Sequence, residues 1–174
     1  RDRSPSRGLG DVYKRQDLEG GIKASHHLTS LKLARNKMGT EGDSFLTVIL
    51  PDLKKLRKID LSNNSLCVKG ASMVHHVKKL GEALLIRKDT LKYLNLSGNK
   101  MADHDLVQLK KSLLQMDLDV LDLRGNLLTD RSIHTLKSLS KKKDPLKTIL
   151  VSENKMTPEG LQKLEDLGIT VDVR

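Results

Sequence analysis

The side chains here that most readily hold a metal or attack a carbon centre are six histidines and one cysteine. His26 and His27 are adjacent, as are His75 and His76. Neighbours on a helix point about 100° apart, so neither pair shares a ligand face. No Cys/His spacing fits zinc, so neither a metal nor another cofactor is expected. Cys67 stands alone, which excludes an internal disulfide. Two carboxylates, Asp60 and Asp122, hold the same place in a recurring segment, and Asn95 holds that place between them. A carboxylate pair can do acid–base work. Strands of a sheet lie about 4.8 Å apart, however, and Asn95 would separate the two acids. A hydrophilic wall is the favoured reading. With no nucleophile elbow, P-loop or GxGxxG, a catalytic role is not expected.

Positive charge is more ordered. The net charge is +10, and Lys54-Lys55, Lys78-Lys79, Lys110-Lys111 and Lys141-Lys142-Lys143 each fall late in a helical stretch. Stacked, they would line one rim. Cations suit helix C-termini and keep a surface soluble, which is the plainer reading. The functional alternative is electrostatic docking to an acidic protein, lipid or nucleic acid. Outside the first 16 residues only Phe45 and Tyr93 are aromatic, so base stacking has little to work with. Nucleic acid therefore ranks below an acidic protein.

What positions these groups is a repeat. Leu28–Met38 (LTSLKLARNKM), Leu56–Leu66 (LRKIDLSNNSL), Leu91–Met101 (LKYLNLSGNKM), Leu118–Leu128 (LDVLDLRGNLL) and Leu146–Met156 (LKTILVSENKM) share one pattern. Their asparagines, Asn36, Asn64, Asn99, Asn126 and Asn154, are 28, 35, 27 and 28 residues apart. A period in this range marks a solenoid. Around the paired leucines the side chains alternate, as in a short strand with one buried face. The asparagine amide can satisfy backbone groups left open by the turn, and stacked asparagines would form a ladder. Helical spacing follows in Leu106, Leu109 and Leu113, in Val74, Val77, Gly81 and Leu84, and in Leu161, Leu164 and Leu167. One strand–turn–helix unit cannot bury its apolar face alone, but stacked units can. Aromatic residues make up only 2% of the chain, which suits a core of stacked leucines.

The eleven-residue pattern and the NxLxxxGxxxL that continues it resemble the leucine-rich repeat family, in its ribonuclease-inhibitor-like subclass. The resemblance covers about Leu28 to Leu164. It implies an α/β fold: a right-handed, horseshoe-shaped solenoid with a parallel sheet on the concave side and helices on the convex side. Asp105 and Ser132 stand where the family often has glycine, and a small loss of local fit is expected there. The resemblance implies a non-catalytic scaffold that holds another protein on its concave face. Regulation of a GTPase, as in Ran GTPase-activating proteins, is the alternative it suggests.

The exposed concave positions should be Ser30 and Lys32, Lys58 and Asp60, Tyr93 and Asn95, Val120 and Asp122, and Thr148 and Leu150, with Arg124 one place further on. Tyr93 and Arg124 are the residue types that anchor interfaces.

Residues 1–16 lack periodicity and read as translated adaptor or disordered tail, carrying +3 of the net charge. The domain is then 17–174, with about five full repeats, and the chain reads as a fragment. Pro51 should end a helix near Leu50. The long second step holds seven extra residues, about two helical turns, placed within Leu80–Asp89. Thr157 and Pro158 should start a helix that Gly168 ends, and Ile169, Val171 and Val173 read as a closing strand. No apolar run approaches the roughly 20 residues of a membrane span. The single cysteine favours the cytosol.

Overall fold

A computed structural model describes residues 20–21, 25, 27–67, 74–141 and 146–169. Five three-residue strands, β1 (Ser30–Lys32), β2 (Lys58–Asp60), β3 (Tyr93–Asn95), β4 (Val120–Asp122) and β5 (Thr148–Leu150), form one parallel sheet in sequence order. The register is residue for residue. Leu31, Ile59, Leu94, Leu121 and Ile149 lie side by side along the sheet. All five are buried, because period-2 alternation turns the central side chain of every strand to the same face.

The helices α1 (Gly42–Ile49), α2 (Val74–Leu84), α3 (Asp103–Leu113), α4 (Ile133–Ser140) and α5 (Pro158–Glu165) cover that face. Each sends leucines inward at three- and four-residue spacing: Leu46 and Ile49, Leu80 and Leu84, Leu106, Leu109 and Leu113, Leu136 and Leu139, then Leu164. One continuous core runs from Leu31 to Ile169. Among the described residues Phe45 is its only aromatic member.

The local stops fall where the residue types place them. Pro51 lies in a 3-10 turn, Leu50–Asp52, directly after α1 ends at Ile49. Thr157 caps α5 by accepting from the Gly160 N–H at 3.0 Å, with Pro158 at the first helical position. The end of α5 closes through Gly168 N–H to Glu165 O and Ile169 N–H to Leu164 O.

The seven extra residues lie elsewhere than expected. Up to Leu66 the first and second repeats match at an offset of 28, since Met38 and Leu66 donate in the same way to the next ladder asparagine. From Leu80 the offset is 35: the 3-10 turn Leu50–Asp52 matches Leu85–Arg87, and buried Phe45 and Ile49 match Leu80 and Leu84. The insertion therefore falls between Cys67 and Val77, not within Leu80–Asp89. The return to the strand, through the 3-10 turn and buried Leu56 and Leu91, is alike in both repeats. Residues 1–16, 68–73 and 170–174, with the expected tail and closing strand, lie outside the described residues, as do His26, Lys142 and Lys143.

Candidate functional site

A file of asparagines runs through the turns that leave the strands. The Asn99 amide nitrogen donates to Leu96 O, Ser97 O and Leu61 O of the preceding repeat. Its oxygen accepts from the N–H groups of Asn64 and Leu66. Asn126 repeats this toward Asn99 and Met101, and Asn64 toward Asn36 and Met38. Asn154 donates to Leu123 O and accepts from Leu128 N–H. Asn64, Asn99 and Asn126 are buried, while Asn36 at one end is exposed. Backbone groups that no strand partner reaches are thereby satisfied between repeats.

The residue before each ladder asparagine has left-handed backbone: Arg35, Asn63, Gly98, Gly125 and Glu153, with φ from 55° to 65°. Only two of the five are glycine, so three carry a side chain in a region L-residues disfavour.

The sheet face opposite the helices carries the remaining polar groups. Lys32 and Lys58 are exposed, and Asp60, Tyr93 and Asn95 are half-buried. Asp60, Asn95 and Asp122 are consecutive neighbours across the sheet, as Lys58, Tyr93 and Val120 are. In each of the first three, a side-chain oxygen accepts the N–H two residues on, from Ser62, Ser97 and Arg124 in turn. They shape the turn.

Asp122 departs from the expected exposure. It is fully buried beneath Arg124, whose Nε donates to its Oδ1 at 3.0 Å and whose terminal nitrogen donates to its Oδ2 at 2.7 Å. A buried carboxylate needs such a partner, and a planar guanidinium supplies it bidentately. Tyr93 sits beside this pair. Desolvation raises its phenol pKa, as do the Asp122 and Asp60 charges, and Arg124 opposes them. The structure thus brings Lys58, Asp60, Tyr93, Asn95, Asp122 and Arg124 together and leaves Lys32 at the β1 edge.

The expected lysine rim is not one row. Lys78 and Lys79 lie in the middle of α2, Lys110 and Lys111 in the last turn of α3, and Lys54 and Lys55 beyond the 3-10 turn. The insertion before Val77 moves the second pair out of line. Cys67 is buried, which pushes its thiol strongly up, and the Asp105 carboxylate adds to this; it stays protonated and unreactive. Among the described residues no cluster could hold a metal ion, and no helix is long and apolar enough to cross a membrane.

A second linkage between repeats was not expected from the sequence. Asp103 accepts from the N–H and hydroxyl of Thr129 at 2.8 and 2.6 Å and from the Ser132 hydroxyl. One repeat on, Asp130 accepts from the N–H and hydroxyl of Thr157 at 2.9 and 2.6 Å. Each carboxylate at one helix start thus ties down the threonine that caps the next. Burial works to raise the Asp103 pKa, but the hydrogen bonds from Ser132 and Thr129 outweigh it and the net shift is downward. The Thr157 hydroxyl and N–H lower that of Asp130. The signal was present as Asp four residues after a ladder asparagine and Thr three after the next. The departures from glycine also serve. Asp105 accepts from Ala102 N–H at 2.8 Å, and Ser132 donates to Asp103, where a loss of fit was expected. Where Gly160 keeps the glycine, a Cβ would strike the Asp130 carboxylate.

Family models described as leucine-rich repeats match residues 24–43 and 89–109, and a second such model matches 55–76. The chain is 28% identical to a ribonuclease inhibitor of Mus musculus over 185 aligned positions, 94% of this chain. It is 29% identical to Protein CARMIL of Dictyostelium discoideum over 181 positions, 86% of this chain. It spans 38% and 16% of the lengths of these relatives. The matched family is a repeat family used broadly for protein–protein interaction, not an enzyme family.

Proposed function

We propose, from the premise that this chain is a leucine-rich-repeat protein of the ribonuclease-inhibitor-like kind, that it is a non-catalytic scaffold holding a protein partner on the sheet face centred on Tyr93. The observation that carries this is the placement of Tyr93 on the strand next to that of Asp122, whose buried carboxylate already orients the Arg124 guanidinium. A side chain held in place loses little conformational freedom on binding, and Tyr and Arg dominate interface energies. Lys58 on one side and Val120 on the other give this centre a cationic flank and an apolar flank. The one cysteine is a buried free thiol, which fits a reducing, cytosolic setting.

The test is site-specific photocrosslinking. A crosslinking residue at Tyr93 should capture a discrete partner, and one at exposed Val107 on the helical side should not. Tyr93→Ala should weaken binding of that partner by about 1–3 kcal/mol. Capture at Val107 alone, or unchanged affinity for Tyr93→Ala, removes the reading.

A further inference from the structure

At the entrance to the strands lies a groove of about 360 Å³, lined by Thr29, Lys54, Lys55, Arg57, Asp89, Thr90 and Lys92. Thr29, Arg57 and Lys92 are held one repeat apart by the backbone bonds Arg57 N–H to Thr29 O and Lys92 N–H to Arg57 O, each 2.8 Å. The charge on this edge is uneven. In later repeats Lys92 pairs with Asp117, and Lys147 with Asp119 at 2.8 Å. Asp89 is occupied by Lys88. Lys54 and Arg57 carry no ion pair among the described residues, and the Lys55 ammonium meets only the imidazole of His27 at 3.3 Å. The Thr90 hydroxyl is buried and lacks a hydrogen-bond partner.

We propose that this groove receives an acidic peptide segment of the protein partner, with carboxylates between Lys54, Lys55 and Arg57. The inference rests on the scaffold reading, because the groove is continuous with the concave face: Arg57 and Lys92 immediately precede Lys58 and Tyr93. Three uncompensated cations around one concavity attract anions and hold them more firmly than the same charges spread over a convex surface. A peptide fits better than a nucleic acid. The lining has no aromatic ring for a base to stack on. Thr29 and Thr90 can meet peptide groups as well as carboxylates.

The test is fluorescence anisotropy with the full chain and a labelled peptide of alternating Glu and Gly, at low and physiological salt. The peptide should bind, and more weakly as salt rises. The double variant Lys55→Glu/Arg57→Glu should lose about tenfold or more in affinity, and the milder Lys55→Gln/Arg57→Gln a smaller share, both with unchanged melting. Lys110→Glu/Lys111→Glu, on α3, should change it by less than about twofold. Equal loss in both charge reversals, equal binding of a Gln/Gly peptide, or tighter groove-dependent binding of an oligothymidylate or an anionic vesicle would overturn the proposal. If the peptide ignores the groove while the partner captured at Tyr93 persists, this inference alone falls. If the Tyr93 position captures nothing, the scaffold reading falls with it.

Discussion

The two ends of the array share a core and differ at its edges. In the first repeat α1 has no side-chain cap, and the 3-10 turn before it, Gly39–Glu41, has none either. In the last two repeats every helix start is tied to its neighbour through Asp103–Thr129 or Asp130–Thr157. The strand entrances differ in the same sense: among the described residues Lys54 and Arg57 carry no ion pair, while Lys92 and Lys147 are paired. The asparagine file runs through both halves, buried at Asn64, Asn99 and Asn126 and exposed at Asn36. A shared leucine core thus leaves the edges free to diverge: helix starts linked across the last repeats, and an uncapped helix start in the first. A repeat array can hold stability and binding apart in this way because each unit contacts only its neighbours.

The largest expected effect tests the shared part. Asn99→Ala would orphan buried carbonyls and N–H groups in two repeats and should cost about 3–5 kcal/mol, summing roughly 1–3 for each unsatisfied group. Asn36→Ala, at the exposed end, should cost well under about 1.5 kcal/mol by the same reasoning. Urea unfolding measures both, and equal losses would show that the file is not cooperative.

Next comes the linked half. Asp103→Ala removes three hydrogen bonds and the anchor of the Thr129 cap, and should cost about 1–3 kcal/mol. Hydrogen exchange should localise the loss to Ile133–Ser140 and leave Gly42–Ile49 protected. Acid should act alike. The folded pKa values of Asp103 and Asp130 lie below the ordinary 3.8. Their contribution is therefore complete above that value and disappears as pH falls through the lowered ones. Exchange in the last two repeats should accelerate below about pH 4 before the first repeat responds. Simultaneous loosening would break the contrast between the halves.

The smallest effect concerns the strained turns. Glu153→Gly and Arg35→Gly should each stabilise by up to about 1 kcal/mol, since glycine adopts left-handed backbone without steric penalty. Gly98→Ala should destabilise by more than either gains, because the backbone is strained and the Asn63 side chain fills the space a Cβ needs. Thermal melts distinguish these signs.

Much was legible in the chain itself. The spacing of Leu91, Leu94, Leu96 and Asn99, repeated five times, determined the strand centres, the buried face and the order of the sheet. These depend on contacts within one unit and on a fixed step to the next. Pro51, Thr157 and Pro158 marked their boundaries because capping and proline sterics act over four residues or fewer. Only the tertiary structure decided what joins one repeat to another away from the core. The Asp–Thr ties join side chains that stacking brings together, and the full burial of Asp122 beneath Arg124, its neighbour two residues on, appears only once the repeats are stacked. The same stacking placed the insertion ahead of Val77. Helix spacing tolerates seven extra residues at either end, and only the packing of Leu80, Leu84 and the following 3-10 turn against the first repeat chooses between them.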